Sequence, residues 1–136
     1  MEKTFESVEN YLETILILGQ NGAPVRSVDI ANEMGYSKPS VSVAMKNLKA
    51  NGHIVVEANG YITLTKSGQE IAQKIYDRHT LISDLLIFLG VDNETAMRDA
   101  CKMEHGMSEE SFVALQAHIQ GLKESVISAS NQPLYE

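Results

Sequence analysis

The hydrophobic pattern of this chain changes period once and then changes back, and that interruption constrains the fold more than any other feature. Up to residue 52 the apolar residues recur at helical spacing. Val8, Leu12, Ile15 and Leu16 share a face of the segment 6–18. Gly19 and Asn21-Gly22 end it. Ser27 is the expected N-cap of a short second helix, Val28 to Met34, closed by Gly35. Ser37 is the expected N-cap of a third, with Pro39 tolerated in its first turn. Val41, Met45 and Leu48 lie on one face of it, and Asn51-Gly52 terminates it. The pattern then becomes β-branched and aromatic. Ile54-Val55-Val56-Glu57 and Tyr61-Ile62-Thr63-Leu64 flank Asn59-Gly60, a strong hairpin signal. Helical spacing returns from Ser67 to Leu89. Asp92 caps a helix running to about His105, and Ser108 starts a last one. Asn131-Gln132-Pro133-Leu134 reads as a frayed tail.

Helix, helix, turn, helix, hairpin is the layout of a winged helix-turn-helix. The plainer alternative is an α+β domain with no nucleic-acid role. At 136 residues the length suits about one ordinary domain and a well-buried core without staples. A single cysteine excludes an internal disulfide framework and fits a reducing compartment. The longest apolar run, Leu85 to Leu89, is far short of the roughly 20 residues a membrane span needs. The opening Met1-Glu2-Lys3-Thr4 has no signal-peptide core, so a cytoplasmic location is expected.

The net charge of −7 argues against nucleic acid when taken over the whole chain. Its distribution reverses that. Residues 37–50 hold Lys38, Lys46 and Lys49 and no acidic residue, whereas residues 66–136 hold 6 basic and 11 acidic residues. The third helix has a polar front, Ser40, Ser42, Lys46 and Asn47, opposite its apolar back. Hydroxyls near a helix N-terminus suit phosphate oxygens, because first-turn N–H groups point the same way. Lys46 and Lys49 add counterion release; Asn47 suits adenine in a major groove, the plainer reading being a solvated surface Asn. The wing tip, Glu57-Ala58-Asn59-Gly60, has no Arg or Lys, so little minor-groove contact is expected from it.

The sharpest chemical constellation is Cys101-Lys102-Met103-Glu104-His105. Positions i, i+3 and i+4 of a helix share a face, so thiol, carboxylate and imidazole converge. That mixture of soft, hard and intermediate donors suits a first-row divalent ion such as Fe(II) better than Mg or Ca. Three ligands do not complete a shell. His79 on the long helix, and Asn10 and Glu13 at i, i+3 on the first, are further candidates. Against this stands a Cys101 that is merely a small buried hydrophobe. A Cys/His nucleophile is a third reading, but no glycine-rich loop or second acid pair supplies an oxyanion site, so no enzyme is expected.

Taken together, these motifs resemble the diphtheria-toxin-repressor family of iron-dependent repressors, which includes the manganese transport regulators. The resemblance rests on Asn10-Tyr11-Leu12-Glu13, Asp29-Ile30-Ala31, Pro39-Ser40-Val41-Ser42 and Gly60-Tyr61-Ile62-Thr63-Leu64-Thr65, with Gly68 in the wing. Arg78-His79 and the run Asp99 to Glu110 complete it, covering about residues 5–110. It implies a mainly α fold with a small β-hairpin: a winged helix-turn-helix over residues 1–66, then a helical metal-binding and dimerisation domain over 67–136. It implies a homodimeric repressor that holds double-stranded operator DNA when loaded with a divalent metal and controls metal-uptake genes. The implied ligands are Asn10, Glu13, His79, Cys101, Glu104 and His105. The implied DNA contacts are Ser37, Lys38, Pro39, Ser40, Ser42, Val43, Lys46, Asn47 and Lys49.

Departures from the family pattern mix its branches. Position 10 is Asn where the iron branch has Met and the manganese branch Asp. Cys101 follows the iron branch and Glu13 the manganese branch. Ser83 and Met97 stand where the iron branch places second-site ligands, so that site is expected to be weak or remodelled. Val43 stands where iron-branch members often place Gln. The thiolate favours Fe(II), with Mn(II) close behind. Leu81, Leu85, Leu86 and Phe88, with Phe112, Leu115, Ile119 and Leu122 of the last helix, are the expected dimer face. Two readings of another kind are a winged-helix module for protein contact and a DNA-binding regulator with a non-metal effector.

Overall fold

The computed structural model describes the backbone from Glu2 to Ser130 and side-chain surroundings from Ser7 to Leu122; the expected frayed tail lies outside the described residues. The elements are α1 (Glu2–Leu18), α2 (Ser27–Met34), α3 (Lys38–Ala50), β1 (Ile54–Val56), β2 (Ile62–Leu64), α4 (Lys66–Phe88), α5 (Asn93–Glu104) and α6 (Glu109–Ser130). A single 3-10 turn, Gln20–Gly22, follows α1, with Asn21 at φ 67°. The chain forms two compact units, Met1–Asp77 and Arg78–Glu136, and they divide within α4. The expected division after residue 66 falls at the start of α4.

The first unit is the winged helix. Its core is one cluster: Leu12 and Ile15 of α1, Ile30 of α2, Val41, Met45 and Leu48 of α3, Ile54 and Ile62 of the hairpin, and Ala72 of α4. Each lies at a position the helical or alternating pattern assigns to an inner face. Ser37 caps α3 as expected, its Oγ accepting from the Ser40 N–H at 3.3 Å. Ser27 does not cap α2. It is the first helical residue, and Arg26 occupies the cap, its N–H donating to Asp29 Oδ2 at 2.9 Å. An acidic side chain at the third helical position thus reaches back to the entering backbone, the reciprocal half of a capping box. Gly35 ends α2 at φ 70°, as its type requires.

The hairpin pairs Ile54 with Leu64, Val55 with Thr63 and Val56 with Ile62, antiparallel. Its turn is longer than the two residues Asn59-Gly60 suggested. The Gly60 N–H donates to Glu57 O at 2.8 Å, and the Glu57 N–H to Tyr61 O at 2.8 Å. Gly60 has φ 89° while Asn59 is not left-handed, so this is not the turn with two positive-φ residues. Gly68 lies in the first turn of α4 and not in the wing. A Cβ there would stand 2.0 Å from the His53 carbonyl oxygen. Only glycine lets α4 start this close to the β1 entry.

The second unit is helical. Asp92 caps α5, its Oδ2 accepting from the Glu94 and Thr95 N–H groups. Ser108 caps α6 through the Ser111 N–H at 3.1 Å. Ile82, Ala96, Ala100, Phe112 and Ile119 are buried. Phe112 and Ile119 are therefore core, which removes them from the expected dimer face. Phe88, at 66% exposure, and Leu122, at 38%, remain exposed, together with Ile87 and Leu89.

Candidate metal centre and nucleic-acid interface

Cys101, Glu104 and His105 occupy the last turn of α5 and its C-cap. As the i, i+3, i+4 spacing requires, a thiol sulfur, a carboxylate oxygen and an imidazole nitrogen lie within 4.8 Å of one another. Glu104 is 0% exposed. Its Oε2 is 3.0 Å from His79 Nδ1 on α4. Its Oε1 is buried without a hydrogen-bond partner, 3.4 Å from His105 Nε2. A wholly buried carboxylate with one oxygen lacking a hydrogen bond is costly unless a cation meets it. Cys101 is exposed, so it is not the small buried hydrophobe of the alternative reading. The donor set therefore fits a divalent transition ion, whose ligands sit about 2.0–2.3 Å from the metal and hence within a few ångströms of one another. Ser83 is buried and its hydroxyl donates to Thr80 O at 3.2 Å, and Met97 is exposed.

Asn10, half-buried, and Glu13, buried, lie on α1 of the first unit at the expected spacing. Thr14 Oγ1 donates to the Asn10 carbonyl at 2.8 Å. Beside them Tyr11 meets Tyr36 edge-on, with ring centroids 6.0 Å apart. Burial, and secondarily the neighbouring Tyr36 phenol, push the Tyr11 hydroxyl above its usual value of 10.0.

The roles of two residues escaped the sequence reading. Arg78 is 4% exposed. Its Nη1 donates to Glu104 O at 3.1 Å and Met107 O at 2.6 Å, and its Nη2 pairs with Glu109 Oε2 at 3.0 Å. Its only sequence signal was its place beside His79. Arg26 sets its guanidinium 4.6 Å from the Tyr61 ring centroid. A cation thus stands beside Tyr61, next to a wing turn that has none of its own, and 35 residues of separation hid it. On α3 and its cap, Ser37, Lys38, Pro39, Ser40, Ser42, Val43, Lys46, Asn47 and Lys49 are all exposed, while Val41, Met45 and Leu48 are buried. Val43 is 59% exposed, an apolar side chain in an otherwise polar front.

A winged helix with a basic, exposed third helix, followed by helices that gather a thiol, a carboxylate and imidazoles, defines the class of DNA-binding proteins with a metal-binding domain. Comparison with known proteins agrees. Residues 3–62 match the family model for the iron dependent repressor, N-terminal DNA binding domain. Residues 65–126 match that for the iron dependent repressor, metal binding and dimerisation domain. The chain is 36% identical over 123 residues to an HTH-type transcriptional regulator of Methanocaldococcus jannaschii, covering 89% of this chain and 98% of that one. It is 36% identical over 115 residues to the transcriptional regulator MntR of Escherichia coli O6:H1, covering 85% and 74%. The solved structure of the manganese regulator SloR superposes with a TM-score of 0.73 at 27% identity, over 83% of this chain and 53% of that one. The chain spans about half the length of that regulator. It belongs to the iron-dependent repressor family of metal-dependent transcriptional regulators.

Proposed function

We propose that this chain is a repressor that binds palindromic operator DNA as a homodimer when a divalent metal is bound, and that it controls metal-uptake genes. The observation that carries the reading is the Glu104 carboxylate, wholly buried, with Oε1 lacking a hydrogen bond 3.4 Å from His105 Nε2 and Oε2 on His79. The proposed ligands are Cys101, Glu104 and His105 of α5, His79 of α4, and Asn10 and Glu13 of α1. The thiol favours Fe(II), with Mn(II) close behind. A bound divalent metal would supply the positive charge that the buried Glu104 carboxylate calls for, held by these residues.

The protein's own part is to present α3. Ser37 and Ser40 offer hydroxyls, and Lys38 its ammonium, to phosphates at the α3 N-terminus, where Pro39 sets the first turn close to the backbone. Ser42, Val43, Lys46 and Asn47 face base edges, and Lys49 the backbone. Half-sites one helical turn apart, about 34 Å, must match two α3 helices. A dimer that reaches this spacing only part of the time binds more weakly by that fraction. The exposed Phe88 and Leu89 at the end of α4 are the proposed centre of the dimer contact.

The test is a selection from random duplex DNA under anaerobic conditions, in parallel with Fe(II), Mn(II), Zn(II) and chelator. A palindrome recovered only with metal is expected, and the best-performing metal ranks the candidates. Equal enrichment in chelator would remove the metal switch, and no enrichment in any arm would remove the DNA reading.

A further inference from the structure

Arg78 and His79 are adjacent on α4, and both reach the same residue of α5. His79 Nδ1 holds the Glu104 carboxylate at 3.0 Å, while Arg78 Nη1 holds the Glu104 backbone carbonyl at 3.1 Å. One helical step thus grips one glutamate at its side chain and at its main chain. The Arg78 grip continues past the end of α5, to the Met107 carbonyl, and forward to the Glu109 carboxylate at the start of α6. The guanidinium also lies 5.2 Å from the buried Phe112 ring. It is held by its two terminal nitrogens, Nε being without a partner.

The carbonyls at the end of a helix have no intrahelical donor. They carry the negative end of the helix dipole, which a cation there stabilises. The last turn of α5 is also the turn that presents Cys101, Glu104 and His105. Donors on a helix end are only as well placed as that end is fixed. If His79 Nδ1 and the Glu104 carboxylate were both to hold a cation, they would no longer bond each other. Arg78 is then the tie that keeps the Glu104 main chain in register with α4. We propose that Arg78 is a positioning residue for the metal centre, fixing the α5 C-terminus so that Glu104 and His105 meet the ion in one geometry. This rests on the metal-binding reading above. Arg78 does not touch the ion; it acts through the Glu104 and Met107 carbonyls.

The probe is Co(II), whose thiolate charge-transfer band and ligand-field spectrum report geometry as well as affinity. Wild type, R78K, R78Q and E109Q are titrated anaerobically, after their metal-free melting has been recorded. Groups that orient metal ligands typically change affinity by about 10–100-fold when removed. R78K and R78Q are therefore expected to fold, to bind Co(II) about ten-fold or more weakly, and to show an altered ligand-field spectrum. E109Q keeps both carbonyl bonds and is expected to shift affinity less, in the same direction. Guanidinium ion added to R78A at non-denaturing concentration is expected to restore part of the wild-type spectrum. A folded Arg78 variant with wild-type affinity and spectrum would overturn the proposal. So would loss of folding in both R78K and R78Q without metal, which would make the role structural alone. If wild type gives no cobalt spectrum that depends on Cys101 and Glu104, the metal reading itself has failed.

Discussion

Glu104 concentrates the chemistry of the second unit, because no other described carboxylate is so fully withdrawn from solvent. Glu104→Gln keeps its shape and removes its charge. Metal-dependent DNA binding should be lost, while the metal-free melting temperature holds or rises, since a buried negative charge has gone. Melting with and without Mn(II) checks both halves. Arg26 is the corresponding residue in the first unit. Arg26→Ala should weaken binding to all duplexes nearly equally and reduce the slope of log K against log salt by about 1. Fluorescence anisotropy at several salt concentrations reads that slope. Tyr11 makes folding stability depend on pH at the alkaline end. Its folded pKa lies above the unfolded 10.0, so the unfolded chain releases the proton first. Its contribution is intact below pH 10 and is lost as pH rises toward the folded value. Melting should fall through that window, less steeply in Tyr11→Phe.

Among the elements, α3 was the most legible in sequence and the start of α4 the least. A cap serine, a proline in the first turn, a three-residue apolar back and an Asn-Gly stop all agree for α3, and the structure follows them. Ser37→Ala should cost about 1 kcal/mol, the usual worth of such a cap. The wing's turn departed because Asn59 spends its side chain on the Tyr61 N–H at 3.1 Å, leaving only Gly60 with positive φ. The role of Gly68 was hidden because close backbone approach has no periodicity. Gly68→Ala forces a Cβ against the His53 carbonyl and should cost about 1–3 kcal/mol by overpacking. Denaturant unfolding of the two variants would separate a small cap effect from a larger steric one. For the candidate centre, Cys101, Glu104 and His105 were readable from spacing on one helix. Arg78 was not, since its partners lie 26 to 31 residues away and are mostly backbone.

Over the whole molecule, metal and DNA should raise each other's affinity by one common factor if they act on the same dimer. Measuring DNA affinity with and without Mn(II), and Mn(II) affinity with and without DNA, closes that cycle; unequal factors would show that the scheme is incomplete. Coordination by a thiol requires its deprotonation, so metal affinity should weaken as pH falls. The acidic character of the chain gives the exposed lysines of α3 a further consequence. Lys38, Lys46 and Lys49 form a lone positive stretch on a protein of net charge −7. A uniformly basic protein adheres to a polyanion in any orientation. On this one the net negative charge opposes a polyanion while the α3 lysines attract it, so encounters with α3 toward the groove are favoured. Such a regulator gives up tight nonspecific storage on the chromosome. In exchange, its search for an operator wastes few collisions.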